Sequence, residues 1–391
     1  MNTVYFDHSA TTPTLKEAAE AFLQAATVDF GNPSSRHAKG QAAAAKLKSC
    51  KRAVMQALGA SDGELIFTAG GTEANNLAIF GRLYAKERYS AGMEIVTTAS
   101  EHSSVTESVL KLSQKGHRVH FIPCTGGVLD MKALENALSP KTVLVSLMLV
   151  CNETGALYDI AQAAKIVRAK CPDALIHTDA TQAFLKVPFS VSALGVDAVT
   201  VSGHKVGAPK GIGALWIAPS VIKQKGIVPT VYGGGQEGGL RSGTENMPSI
   251  CAFARAVEIE KETLAKRTES ILALRAYICA RLKEDEAYKD VMAHTAPAFA
   301  PHILSLTVKG FPAETTLNFL SASGICVSAG SACSSNAKKA KAAGALVDFG
   351  LSEKDAASTV RLSFGASNTK EEADLFLEVL KKQISTLFRR R

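Results

Sequence analysis

The chain has 391 residues, 46% of them hydrophobic and 20% charged, enough to bury a large core and too many for one typical domain, so two are expected. Its longest apolar runs, such as TVLVSLMLVC from Thr142, reach about half of the roughly 20 residues a membrane span needs, and VYFDHSATTP follows the start too closely for a targeting signal. A cytoplasmic protein without a membrane partner is expected. The net charge of +8 is dispersed beside 36 acids, which argues against direct nucleic-acid binding, and the eight cysteines include no CxxC pair and read as reduced thiols.

In chain order, apolar strand-like runs alternate with amphipathic stretches. ELIFTA precedes the helix TEANNLAIFGRLYAKER; EIVTTAS, RVHFIPC and TVLVSLMLV follow; IAQAAKIVRAKC reads as a helix before ALIHTDA, DAVTVSG and GALWIAP. This alternation predicts an α/β fold with a mainly parallel seven-stranded sheet sandwiched by helices. From about Ile250 the pattern changes: a long charged helical stretch, CAFARAVEIEKETLAKRTESILALRAYICARLKED, leads into PHILSLTVKG, GICVSAG and TVRLSFG, with a final helix KEEADLFLEVLKKQISTLF. The expected division is a large domain over residues 16–255 and a smaller α+β domain from residues 1–15 with 256–391.

Polar residues cluster at or just past the carboxyl ends of the expected strands: Thr72, His102, Asn152, Asp179 with Gln182, and Ser202 with His204 and Lys205. A single such residue is ordinarily a helix cap or a satisfied loop residue. Five loops aimed at one crevice favour a site, because ligands of open α/β sheets bind at the carboxyl ends of the strands.

TAGGTEANN sets glycines between a strand and a helix start, where backbone N–H groups can take a phosphate; the competing reading is a turn capped by Thr72. SGHKVGAPKG places Lys205 among small residues at a strand end, where it is either a surface charge or an amine desolvated for Schiff-base chemistry. Lys205, Asp179 and the GGT loop together match the needs of pyridoxal 5'-phosphate: an amine for its aldehyde, a carboxylate for its ring nitrogen and a cradle for its phosphate.

The ordered motifs DHSATTP, GNPSSRH, FTAGGTEANN, SEHSSV, NETGA, HTDATQ, SGHKVGAPKG, GGGQEGGLRSGTEN, SAGSACSS and VRLSFG resemble those of cysteine desulfurases of the NifS/IscS type. These are class V aminotransferase-like enzymes of pyridoxal-phosphate fold-type I. The resemblance implies that Lys205 forms the Schiff base, Asp179 pairs with the pyridine nitrogen, Gln182 contacts the ring hydroxyl, and His102 stacks on the ring and moves protons. It also implies that Gly71, Thr72, Ser202 and His204 hold the phosphate, that Thr244 reaches the phosphate of a partner subunit in a homodimer, and that Asn152 and Arg361 bind the substrate L-cysteine.

The same resemblance assigns Cys333 as the nucleophile that takes the sulfur as a persulfide, leaves alanine, and passes sulfur to an acceptor protein for iron–sulfur assembly or tRNA or cofactor thiolation. The small residues of SAGSACSSNA bury little surface, and are expected to let the thiol travel. Read locally, Cys333 is equally a small core residue, as Cys326 is expected to be. Many relatives continue with a Leu-Glu-Pro-Ser type segment where this chain reads NAKKAKAAGALVDFG; Lys338, Lys339 and Lys341 there read first as a solvated face. A selenocysteine lyase or another class V enzyme has less need of the thiol, and a non-catalytic scaffold has no need of the full set.

Overall fold

Each of the seven apolar runs expected in the first two thirds of the chain forms a strand in the computed structural model, which describes residues 3–87, 92–330 and 344–388. The described strands are β1 (Val4–Tyr5), β2 (Glu64–Thr68), β3 (Glu94–Thr98), β4 (Arg118–Ile122), β5 (Thr142–Ser146), β6 (Leu175–Asp179), β7 (Ala198–Ser202), β8 (Gly213–Ile217), β9 (Val291–His294), β10 (Ile303–Val308), β11 (Ile325–Cys326), β12 (Ser328–Ala329) and β13 (Thr359–Ser363). β2 to β8 make one sheet in the order β2-β8-β7-β6-β5-β3-β4. Its neighbours pair in parallel except β8, which is antiparallel to both β7 and β2. Every residue of β3, β5, β6, β7 and β8 is buried, as helices on both faces of a parallel sheet require. Six of these seven strands therefore end at the same edge, and the loops that follow them converge.

The expected strand TVLVSLMLV stops at Ser146. On the β6 side its ladder continues, with Leu147 and Leu149 N–H groups donating to the His177 and Asp179 carbonyls at 3.0 Å each. On the other side β3 has ended at Thr98, and the Met148 N–H donates instead to the Glu101 carboxylate at 2.7 Å. A side chain has replaced a strand as the partner, so the pairing is one-sided.

The C-terminal third forms an antiparallel sheet, β12-β13-β10-β9, and β1 pairs in parallel with β11. The N-terminal arm continues through a bridge from Asp7 to Ser363, which brings DHSATTP against VRLSFG. β9 was not among the expected strands; it is a four-residue edge with two exposed positions and too little alternation to read. Two apolar cores result. One centres on the seven-stranded sheet, the other on Phe6, Leu304, Leu306, Leu362, Phe364 and Phe376. The 38-residue helix Met247–Glu284 serves both, burying Ile250, Phe253 and Val257 in the first and Ile271, Leu274 and Ile278 in the second. Among the described residues no helix is long and apolar enough to cross a membrane.

Candidate active site

A cavity of about 410 Å³ lies where the strand ends converge. Every residue expected there from the sequence lines it, namely Gly71, Thr72, His102, Asn152, Asp179, Gln182, Ser202, His204, Lys205 and Arg361, with the exceptions of Thr244 and Cys333. Thr244 is exposed on its own chain, three residues before the helix Met247–Glu284. Cys333, Lys338, Lys339 and Lys341 lie outside the described residues.

At one end the helix Gly71–Glu87 begins, and its first N–H groups have no intrahelical partner, which suits an anion. The glycines are dictated by space. A Cβ on Gly71 would meet Thr181 Oγ1 at 3.1 Å and Ser202 Cβ at 3.5 Å, and Gly213 of β8 lies so close that a Cβ there would stand 2.6 Å from the Gly70 carbonyl carbon. His204 belongs to the 3-10 turn Gly203–Lys205 after β7; its Nδ1 meets Thr11 Oγ1 at 3.2 Å. Burial, aided by Lys205, lowers its pKa to about 4, so it is a neutral imidazole.

Lys205 Nζ donates to the Ser9 and Ala10 carbonyls at 2.6 and 2.8 Å. Burial, with the Arg361 charge adding to it and Asp7 and Asp179 opposing, lowers the ammonium pKa to about 8. Desolvation is the larger effect, and it brings the free amine within reach of neutral pH. Asp179, at the end of β6, accepts from Asn75 Nδ2 at 2.7 Å and from the Thr181 N–H at 2.9 Å. Both bonds fix its direction.

His102 caps the helix Ser103–Gln114, its Nδ1 accepting from the Ser104 N–H at 3.2 Å. Burial lowers its pKa, Lys205 lowers it further, and Asp179 opposes. With Nδ1 engaged as an acceptor, the neutral ring carries its proton on Nε2. The preceding Glu101 is half-buried, and desolvation pushes its carboxyl up to about 8; it accepts from the Thr98 hydroxyl at 2.8 Å and from the Met148 N–H. It ties the turn carrying His102 to the end of β5. Arg361, on β13, donates through one terminal nitrogen to the Asn152 carbonyl at 2.8 Å and through the other to Asp7 at 3.0 Å.

Reasoning from the sequence missed Asp7, Ser9, Asn75, Glu101, Ser104 and Thr181. Asn75 carried a usable signal, since it lies three residues after Thr72 and shares its helix face. Asp7 and Ser9 stand in the motif DHSATTP, but only the bridge to β13 shows that the arm comes here.

Pyridoxal phosphate fits this cavity on a further observation. Ser9 Oγ, Asn75 Oδ1, Thr181 Oγ1, Gln182 Oε1 and Arg361 Nε are buried side-chain atoms in residues lining it, and none has a partner among the described residues. Buried polar atoms are ordinarily paired, so a polar ligand is implied. An amine near neutrality, a fixed carboxylate and a helix start around such a volume define an enzyme of the pyridoxal-phosphate class.

The aminotransferase class-V family matches residues 4–376. Cysteine desulfurase IscS 1 of Archaeoglobus fulgidus is 34% identical, covering 99% of this chain and 100% of its own length. Cysteine desulfurase IscS of Escherichia coli is 36% identical over 98% of this chain and 93% of its own length. A solved structure described as a NifS-like protein superposes with a TM-score of 0.89 at 33% identity, covering 98% of this chain and 99% of its own. Another, SspA in complex with cysteine, gives 0.79 at 29% identity, covering 94% and 100%. The chain belongs to the aminotransferase class-V family, among its pyridoxal-phosphate-dependent cysteine desulfurases of the NifS/IscS type.

Proposed function

We propose that the chain removes sulfur from L-cysteine, giving L-alanine and a persulfide on Cys333, with the cavity residues in the following roles. Lys205 Nζ would hold the cofactor covalently, Asp179 would keep its ring nitrogen protonated, and Gln182 would bond the ring hydroxyl. The helix start at Gly71 and Thr72, with Ser202 and His204, would hold its phosphate. When bound, pyridoxal phosphate supplies an electron sink that weakens the bonds around the substrate's Cα and Cβ.

Arg361 grips the α-carboxylate as a two-pronged donor, and Asn152 orients the amino acid beside it. Lys205, once free, takes the Cα proton as a neutral amine, and His102 moves a proton through Nε2. The Cys333 thiolate attacks the substrate sulfur. A sulfur–sulfur bond forms as the Cβ–sulfur bond breaks, and the electron pair left on carbon takes a proton, yielding alanine.

The observation that carries this reading is the convergence of Lys205, Asp179, His102 and Arg361 on one cavity whose lining holds unpaired buried polar atoms. The described chain also leads to Cys333 from β12, where Ser328 pairs with Arg361, and Gly330 lies three residues before the thiol.

The partner reading is a homodimer with Thr244 completing the neighbouring phosphate site. Its support is that Thr244 is exposed and outside its own chain's cavity, and that a recess of about 990 Å³ opens beside Gly71 and Thr72. The sulfur acceptor is a protein of iron–sulfur assembly or of thiolation. The two cores support a division into residues 16–255 and residues 1–15 with 256–391. Free thiols at all the described cysteines suit a reducing, cytoplasmic setting.

Radiosulfur-labelled L-cysteine should label Cys333 with alanine formed in equal amount. Label on another residue, or alanine without labelled protein, would overturn the assignment. Sedimentation of the active enzyme should give a dimer, and a fully active monomer would remove the role of Thr244.

A further inference from the structure

The loop that carries Thr244 is tied down within its own chain. It folds back on itself: Val231 and Arg241 form a parallel bridge, the Ser242 N–H donates to the Val231 carbonyl at 3.2 Å, and the Gly243 N–H donates to Gln236 Oε1 at 2.9 Å. Two ion pairs then fix it to the rest of the chain. Glu237, 6% exposed, accepts from Lys51 Nζ at 2.7 Å and from the Phe67 N–H of β2 at 3.3 Å. Arg241 Nε donates to Glu73 Oε1 at 2.9 Å, and Glu73 Oε2 accepts from the Ala69 N–H at 2.9 Å. Phe67, Ala69 and Glu73 belong to one stretch, β2 and the turn into the helix Gly71–Glu87, which is the proposed phosphate cradle. We propose that Arg241, held by Glu73, is a positioning residue that sets the Thr244 loop against the cofactor site of the partner subunit, and so acts there rather than on the site of its own chain.

The proposal rests on the reading of Thr244 as part of the neighbouring phosphate site, and the placement of the pair supplies the rest. Arg241 lies three residues before Thr244 and outside its own chain's catalytic cavity. Glu73 stands one residue beyond Thr72 and lines the recess beside the cradle. Each Glu73 oxygen has its own partner, so removing Arg241 frees one oxygen and leaves the other on Ala69, and the turn before the helix keeps its tie. The loop is affected differently. It loses the tie nearest to Thr244 and keeps only the ion pair at Glu237, seven residues away. Hydrogen bonds weaken steeply with misalignment, so a hydroxyl displaced by a fraction of its bond length no longer serves a phosphate.

The two cofactor sites of the dimer are thereby joined, because the cradle of one protomer is the mount for the residue it places in the other. Glu73 and Arg241 are partly buried, and the planar guanidinium holds its direction better than a single ammonium does. A pair that merely supported its own chain would harm its own cradle when broken. A positioning pair harms the site across the interface.

The test uses mixed dimers of two full-length chains, co-expressed with different affinity tags, in which Lys205→Ala silences one site. The visible absorbance of lysine-bound cofactor, followed as pyridoxal phosphate is titrated in, then reads the other site alone. With Arg241→Gln on the same chain as Lys205→Ala, the site that reads out receives the altered loop, and its Kd should rise roughly tenfold, the scale of one hydrogen bond to a charged group. With Arg241→Gln on the chain that keeps Lys205, that site receives a wild-type loop, and its Kd should equal that of a dimer carrying Lys205→Ala alone. Arg241→Lys keeps a cationic donor for Glu73 and should lessen the loss in the first pairing; it carries the test should Arg241→Gln fail to assemble. Thr244→Ala in the same two pairings separates the proposal from the reading beneath it. No loss for Thr244→Ala in the first pairing would overturn both. A loss there with none for Arg241→Gln, or a loss for Arg241→Gln in the second pairing, would overturn the role of Arg241 and leave that of Thr244 standing.

Discussion

The Arg361 guanidinium donates to the Asp7 carboxylate across 3.0 Å, which joins the last strand of the antiparallel sheet to the N-terminal arm at the rim of the cavity. Asp7 is itself held by the Ser328 hydroxyl at 2.7 Å. In its proposed role, the fork is thus oriented by one carboxylate before it receives another. Arg361→Lys keeps the charge and loses the planar pair of donors. The expected outcome is a KM for cysteine raised roughly 10- to 100-fold, the scale of one or two charge-assisted hydrogen bonds. Steady-state alanine formation measures it, and an unchanged KM would remove Arg361 from substrate binding.

Asn75 is expected to matter to the cofactor without touching the substrate. Its Nδ2 donates to Asp179 at 2.7 Å and to Ser104 Oγ at 2.9 Å, both buried. Asn75→Ala leaves the Asp179 carboxylate with one fewer donor, and about an order of magnitude in pyridoxal-phosphate affinity should be lost. Fluorescence titration of the cofactor-free variant reads this directly.

Lys205 gives a pH dependence with a definite sign. Burial lowers its folded-state pKa to about 8 from the ordinary 10.5, so between those values the unfolded chain binds more protons than the folded one. The cofactor-free protein should therefore gain stability as pH rises through this window and lose it as pH falls through about 8. Uptake of pyridoxal phosphate should rise with pH about the same midpoint, since only the neutral amine attacks an aldehyde. Lys205→Ala should lose the visible colour of the cofactor and alanine production together. A coloured, active variant would end the assignment.

Cys333→Ser should retain the cofactor and bind cysteine, yet form no persulfide, because a hydroxyl is far less nucleophilic toward sulfur than a thiolate. Wild-type levels of labelled persulfide on this variant would place the nucleophile elsewhere.

The sequence by itself determined the sheet and most of the cavity, because both rest on local rules. Strands such as ALIHTDA and DAVTVSG are apolar along their whole length, as burial on both faces demands, and parallel strands bring His102, Asp179 and Lys205 to one edge whatever their separation in the chain. The resemblance of the motifs then implied the roles proposed for those residues. Tertiary structure decided the rest. That Asp7 meets Arg361, that Ser9 accepts from both Lys205 and Gln182, and that Glu101 replaces a strand beside Met148 all depend on where separate segments come to lie. The depressed pKa of Lys205 belongs with them. Its cause is burial beneath an arm nearly two hundred residues away in sequence, and desolvation is set by what surrounds a group in space, which no local stretch of the chain encodes.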